Sequence, residues 1–351
     1  MLRFDCDYAE GCIDKIRDRM VETNLEQTPG YGMDPHCENA RAIIRRLCGQ
    51  EDALVQFLVG GTQANFTLIA SALRPHQGVI AADTGHINVH ESGAIEATGH
   101  KVLTIPAKDG KITAAQIGQV LNAHFSDPHA EHMVQPGMVY LSEPTENGTV
   151  YSADELKAIS AVCHEYGAYL YVDGARLGYA MAACPEITFS LLAEMTDAFY
   201  IGGTKVGALF GEALVITHPA IQKDFRYILK QRGGMLAKGR LLGIQFECLL
   251  EDDTYLEISR HAVRLAQRVR EAGLQKGWPL YCDSPTNQQF FVVPAAHLEI
   301  LSRKYSYDVW ESFPDGSKAI RLCTSWATPP ERVAELVNDI ARLPALKEEN
   351  R

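Results

Sequence analysis

Short runs that are almost continuously apolar recur along the first two-thirds of the chain, at residues 53–59, 78–81, 101–105, 138–141, 168–172 and 197–201. Each is too short for a core helix and lacks the strict alternation of a half-exposed strand, so they predict strands buried on both faces of one sheet. Polar-apolar segments with helical spacing separate them. In residues 152–166, Leu156, Ile159, Ala161, Val162 and Tyr166 fall toward one face behind a Ser152-Ala153-Asp154-Glu155 start. Serine caps free N–H groups, and acids in the first turn oppose the helix dipole. Strands alternating with helices predict a mainly parallel α/β sheet.

The pattern changes after about Gly243. Residues 244–275 read as almost unbroken helix, followed by strands at 288–293, 307–313 and 319–324 and a closing helix at 330–343. This predicts a large domain over residues 1–253 and a smaller α+β domain over 254–351, linked by the long helix. The polar stretch 122–136 reads as a surface loop.

Composition narrows the function classes. The chain has 351 residues and a net charge of −11, which disfavours nucleic acid as a partner. No apolar run is long enough to span a bilayer, and residues 1–10 lack the basic start and apolar middle of a secretion signal. Nine cysteines include no C-x-x-C pair, as expected of reduced thiols in the cytoplasm. His124, His129 and His132 with Asp127 and Glu131 are zinc-ligand types, but their polar setting predicts a solvated loop and no metal.

Two predicted strands end in chemistry. Residues 169–172 run into Asp173-Gly174-Ala175-Arg176, and 197–201 into Gly202-Gly203-Thr204-Lys205. Ligands of open α/β sheets bind at strand carboxyl ends. Singly, Asp173 also reads as a helix cap and Lys205 as a solvated surface residue. Together they match pyridoxal 5'-phosphate, which needs a lysine to form an imine with its aldehyde and a carboxylate to keep its pyridine nitrogen protonated. Gly60-Gly61-Thr62 follows a strand and opens a helix, a place where backbone N–H groups can hold phosphate. His86 lies just past another strand, where its ring could stack on a flat cofactor or be merely structural.

Leu170-Tyr171-Val172-Asp173-Gly174-Ala175-Arg176 resembles the D-G-A-R segment of the threonine aldolase and β-eliminating lyase family, and the resemblance runs from about Phe4 to Thr324. It implies the pyridoxal-phosphate-dependent transferase fold type I: a mainly parallel seven-stranded sheet domain plus the smaller α+β domain. It implies Lys205 as the Schiff-base lysine, Asp173 as the pyridine partner and His86 as the stacking and catalytic histidine. Gly61, Thr62 and Thr204 would complete the cofactor site, and Arg176 would contact cofactor or substrate. Ile320-Arg321-Leu322 is similar to a segment whose arginine grips the substrate carboxylate. Lys230, Arg232 and Gly233-Gly234-Met235 are similar to a stretch by which one subunit reaches the next one's phosphate, so a homodimer or homotetramer with shared active sites is implied.

The chain departs from that pattern at three places. Cys6 stands where the family has a substrate-contacting serine, Glu146 where it has a histidine that recognises the β-hydroxyl, and Leu236 where it has an arginine. The leading expectation is an aldolase that cleaves a threonine-type β-hydroxy-α-amino acid to glycine and an aldehyde, with His86 or Glu146 as base. A β-eliminating lyase and a catalytically silent cofactor-binding scaffold are the alternatives.

Overall fold

The computed structural model describes residues 1–345. Its centre is a sheet of β1 (Leu54–Leu58), β2 (Gln77–Ala82), β3 (Val102–Ile105), β4 (Gln135–Ser142), β5 (Tyr169–Asp173), β6 (Ala198–Gly202) and β7 (Glu212–Ile216). The spatial order is β1-β7-β6-β5-β4-β2-β3. Only β7 runs antiparallel to its neighbours; the other adjacent pairs are parallel. The sheet is therefore seven-stranded and mainly parallel. Its seventh member, the run Ala213–Ile216 within β7, is the one the six apolar runs leave out.

Alternation along the strands sorts side chains to two helical layers. Val139, Leu141, Leu170 and Val172 pack with Ile44 of α1 (Pro35–Cys48), Ile117 of α3 (Ala114–Phe125) and Leu156 of α4 (Ala153–Glu165). On the opposite face, Met138, Tyr140, Tyr171, Tyr200 and Leu214 pack with Leu68 of α2 (Gly61–Ala72). Three tyrosines thus share one face near the strand tips. Local signals set the helix ends: Asp34 accepts from Cys37 N (2.8 Å) ahead of Pro35, and Gly49 closes α1 in the left-handed conformation. Ser152 and Glu155 form a reciprocal capping box at α4.

The segment predicted as one helix over 244–275 is two, α5 (Arg240–Leu250) and α6 (Thr254–Gln275). The break falls on Glu251-Asp252-Asp253. There Asp252 Oδ1 takes the Thr254 N–H (3.0 Å), and Lys15 pairs with both Glu251 and Asp252. A side chain that satisfies the backbone locally competes with helix continuation. The predicted loop at 122–136 is also shorter: α3 runs to Phe125, burying His124, and β4 begins at Gln135. In α4 the buried stripe is Leu156, Ile159, Ser160 and Cys163, whereas Ala161 faces solvent.

A four-stranded antiparallel sheet follows, of β8 (Leu280–Cys282), β9 (Gln288–Val293), β10 (Asp308–Ser312) and β11 (Lys318–Cys323), in the order β10-β11-β9-β8. Its core joins Phe291 and Ile320 to Val269 of α6 and to Val333 and Ile340 of α7 (Pro330–Arg342). The chain's start belongs here too. Leu2–Arg3 pairs with Tyr305–Ser306, and Cys323 N donates to Phe4 O (2.7 Å). This anchoring carries Asp5–Asp7 across to the carboxyl ends of the central strands.

Candidate active site

Asp173 is the last residue of β5, and Lys205 follows the end of the paired strand β6. Both line a recess of about 190 Å³, together with Gly60, Gly61, Thr62 and His86. The strand tips can approach because they are glycine-rich: a Cβ on Gly174 would clash with the Tyr200 carbonyl, and one on Gly202 with the Ala175 carbonyl. At Gly61 a Cβ would lie 2.8 Å from the Tyr200 hydroxyl.

The Asp173 carboxylate is buried and held by four donors. Tyr200 OH (2.5 Å) and Ala175 N (3.0 Å) reach Oδ1; Tyr140 OH (2.7 Å) and Asn65 Nδ2 (3.0 Å) reach Oδ2. Burial, with the Asp173 charge next in effect, pushes the Tyr140 and Tyr200 hydroxyls well above their ordinary pKa, so both stay donors. Asn65 extends the network, accepting from Tyr171 OH (2.8 Å) and donating to Glu91 Oε1 (2.7 Å). Glu91 Oε1 lies 2.7 Å from His86 Nδ1. A carboxylate there fixes the proton on Nδ1 and leaves Nε2 as the free ring atom. Burial depresses the imidazolium, but the Glu91 hydrogen bond and the Asp173 charge outweigh it, and the His86 pKa is raised.

Lys205 is half-buried, and burial followed by the Arg176 charge lowers its pKa, against the pull of Asp7, Asp173 and Glu212. A lowered ammonium pKa puts more of the side chain in the nucleophilic amine form. Arg176 is held in a fork by Asp7, Nε to Oδ2 at 2.7 Å and Nη2 to Oδ1 at 3.0 Å, and Asn287 Nδ2 adds a bond to Oδ2 (2.9 Å). Burial opposes the Asp7 charge, but Arg176 wins and holds that carboxyl down at about 2. Thr204 Oγ1 donates to Glu212 Oε1 (2.8 Å) and accepts from Gly211 N (3.0 Å). Gly203 N donates to Glu212 Oε2 (3.1 Å), and burial pushes the Glu212 carboxyl up to about 8.

The recess opens into an outer cavity of about 490 Å³ lined by Tyr8, His90, Trp310 and Arg321. Arg321 donates to Gln288 Oε1 (3.0 Å) and Asp5 O (3.2 Å), pairs with Asp308 (3.0 Å) and keeps a buried Nε without a partner. Glu146 Oε1 accepts from His86 N (2.9 Å) and Ser142 Oγ (2.6 Å), and burial raises its pKa. Cys6 is half-buried and lines neither cavity. Asp7, Asn65, Glu91 and Glu212 were not singled out from the sequence. Asp7 and Asn65 meet partners 169 and 108 residues away, while Glu91 and Glu212 lie 5 and 8 residues from His86 and Thr204 at spacings that match no motif. Among the described residues, no three His, Cys, Asp or Glu side chains converge as a metal site.

A family model of β-eliminating lyases matches residues 6–294. A low specificity L-threonine aldolase of Pseudomonas aeruginosa is 33% identical over 344 residues, covering 96% of each chain. The solved structure of a Leishmania major threonine aldolase is 42% identical and superposes with a TM-score of 0.95 over 98% of this chain and 99% of that one. Aspartate aminotransferase of Thermus thermophilus shares the fold, with a TM-score of 0.69 at 16% identity over 98% of this chain and 92% of its own.

Proposed function

The chain belongs to the β-eliminating lyase family, and on that premise we propose that it is a pyridoxal-phosphate-dependent aldolase cleaving a threonine-type β-hydroxy-α-amino acid to glycine and an aldehyde. The observation that carries this reading is the convergence of Asp173, Lys205, His86 and the start of α2 on one recess. That donor set fits the coenzyme. The glycine-lined N-terminus of α2 with Thr62 and Thr204 suits a phosphate, a multiply hydrogen-bonded carboxylate suits a pyridinium, and a depressed-pKa lysine suits an aldehyde. When bound, pyridoxal phosphate supplies that aldehyde and a cationic ring able to accept the electron pair released at Cα.

The chain's own groups then divide the work. Asp173 would hold a proton at the ring nitrogen, and its four donors fix the carboxylate in place. Arg321 offers its guanidinium to the substrate carboxylate, the unpartnered Nε included, and Arg176, held in place by Asp7, faces the same space. His86 Nε2 is the base for the β-hydroxyl proton. Glu146 instead commits Oε1 to the His86 amide and Ser142, and so acts as a positioning residue. Assaying products from threonine and allo-threonine tests the reading: glycine with acetaldehyde is expected. Pyruvate with ammonia would replace it with β-elimination, and no turnover of any β-hydroxy amino acid would leave a binding scaffold.

Glu91 gives a sharper expectation. Because it raises the His86 pKa, activity should fall as pH drops through that raised value, where Nε2 becomes protonated. Glu91→Gln should shift this acid limb to lower pH and reduce kcat about 10–100-fold as ring orientation is lost. A kcat–pH profile with an unmoved limb would remove Glu91 from this role.

We place the enzyme in the cytoplasm, as a homodimer or homotetramer of two units, 1–253 and 254–351, with the chain's start, Leu2–Arg3, paired into the second unit. All nine cysteines are free, as suits a reducing compartment, and no helix among the described residues is long and apolar enough to cross a membrane. Tyr227 is 77% exposed in an apolar groove with Tyr31 and Met235, and Lys230 lies 4.8 Å over the Tyr31 ring. Such a patch suits a second copy of the chain. Light scattering of the assayed preparation checks this; a monomer would reject it.

A further inference from the structure

Resting on the coenzyme reading above, we infer that Glu212 makes phosphate capture proton-coupled: as a neutral acid it donates to Thr204 Oγ1, which frees the Thr204 hydroxyl proton for the phosphate. A threonine hydroxyl has one proton and two lone pairs. With Glu212 ionised, that proton goes to Glu212 Oε1, 2.8 Å away, and one lone pair takes the Gly211 N–H at 3.0 Å. Toward an anion, Thr204 then presents only acceptor density. Glu212 itself also lines the recess with Gly60, Gly61 and Thr62, so its carboxylate faces the place where the α2 N-terminus favours negative charge.

Both conflicts disappear if the Thr204–Glu212 bond reverses direction. A solvent proton forms an O–H bond at Glu212 Oε1, that O–H donates along the same contact, and the Thr204 proton turns to the phosphate. Oε2 continues to accept from Gly203 N. No heavy atom has to move. The neutral form is accessible because burial pushes the Glu212 carboxyl up to about 8, with the Thr204 bond and Lys205 pulling the other way. The charged and titratable groups acting on it are Lys205 from the β6–β7 loop and Asp173 from β5. It acts in turn on Tyr171 of β5, Tyr200 of β6 and Tyr255 of α6. On its other flank β1 presents Leu58, which cannot ionise.

Linkage makes this reciprocal: a bound phosphate favours the acid, and the carboxylate weakens phosphate binding. The test is equilibrium binding of pyridoxal phosphate to the apoprotein by quenching of intrinsic fluorescence across about pH 7 to 9.5. Pyridoxal, which has the same ring and aldehyde but no phosphate, serves as the parallel probe. Above pH about 8, the Kd for pyridoxal phosphate should rise by up to ~10-fold per pH unit more than that for pyridoxal. Glu212→Gln, an uncharged donor at every pH, should remove the excess slope. Calorimetry of the unmodified protein in buffers of different ionisation heat gives a reading free of any folding defect. Near pH 9 it should show about one more proton taken up with pyridoxal phosphate than with pyridoxal. Equal slopes for the two aldehydes, equal proton uptake, or an unchanged slope in a folded Glu212→Gln would overturn the coupling. If neither aldehyde binds, the coenzyme reading falls and this inference falls with it.

Discussion

Lys205→Ala should abolish the borohydride-reducible link to the coenzyme and cut turnover on the order of 10⁴-fold or more, while leaving the fold intact. The chemical loss follows from position. Lys205 is an amine at the tip of β6 in the same recess as Asp173, and burial together with Arg176 lowers its pKa into readiness for an aldehyde. The fold should survive because its neighbours do not depend on its ammonium. The loop is fixed by other atoms: Tyr179 OH donates to the Lys205 backbone carbonyl (2.6 Å), and Thr204 and Gly203 bond to Glu212. Truncation also removes a cation that burial disfavours, so Tm should stay within a few degrees of the parent. Intact mass after borohydride treatment reads the link, and thermal unfolding reads the fold. A variant that still gains the coenzyme's mass, or retains turnover within about tenfold of the parent, would sink the assignment.

The difference between what the sequence reveals and what it conceals follows from the range of the interactions. Asp173 and Lys205 are legible because each sits where an apolar run stops, and a parallel sheet puts such ends side by side. Six of the seven strands are legible as apolar runs, whereas the count of seven is implied only by the family resemblance: β7 begins with a buried glutamate, Glu212, which interrupts the apolar signal at its first residue. The helix break at 251–253 is invisible to apolar periodicity because polar contacts make it: Asp252 takes the Thr254 N–H locally, and Lys15, far away in the chain, gathers Glu251 and Asp252. The second layer of the site is concealed most deeply. Asp7 reaches Arg176 across 169 residues, and Asn65 reaches Asp173 across 108. Folding alone creates those pairs. The family resemblance supplies the residues proposed to face the coenzyme, and the structure supplies those that orient them.

Asp173→Asn should lower turnover about 10³-fold with the covalent coenzyme link retained, a separation that Lys205→Ala cannot give. Asn is a cleaner probe than Ala. Truncation to Ala would strand Tyr200 OH, Tyr140 OH, Asn65 Nδ2 and Ala175 N in a buried site, where each lost partner costs about 1–3 kcal/mol. Asn keeps one acceptor for Tyr200 OH and Ala175 N, and the Tyr140 hydroxyl can rotate to accept from the new amide. Only the Asn65 amide then meets a like donor, so stability should fall by about 1–3 kcal/mol. What the variant loses is the negative charge that keeps a ring nitrogen protonated, and with it the electron-accepting power the reaction requires. A coenzyme analogue methylated at that nitrogen separates this electrostatic role from a structural one, because its positive charge needs no carboxylate. Supplied to the apo form of Asp173→Asn, it should recover at least about tenfold of the lost turnover, and it should bring no gain to the parent. A substituted protein as active as the parent, or equally inactive with both coenzymes, would show that Asp173 serves the packing of Tyr140 and Tyr200 and not the chemistry of the ring.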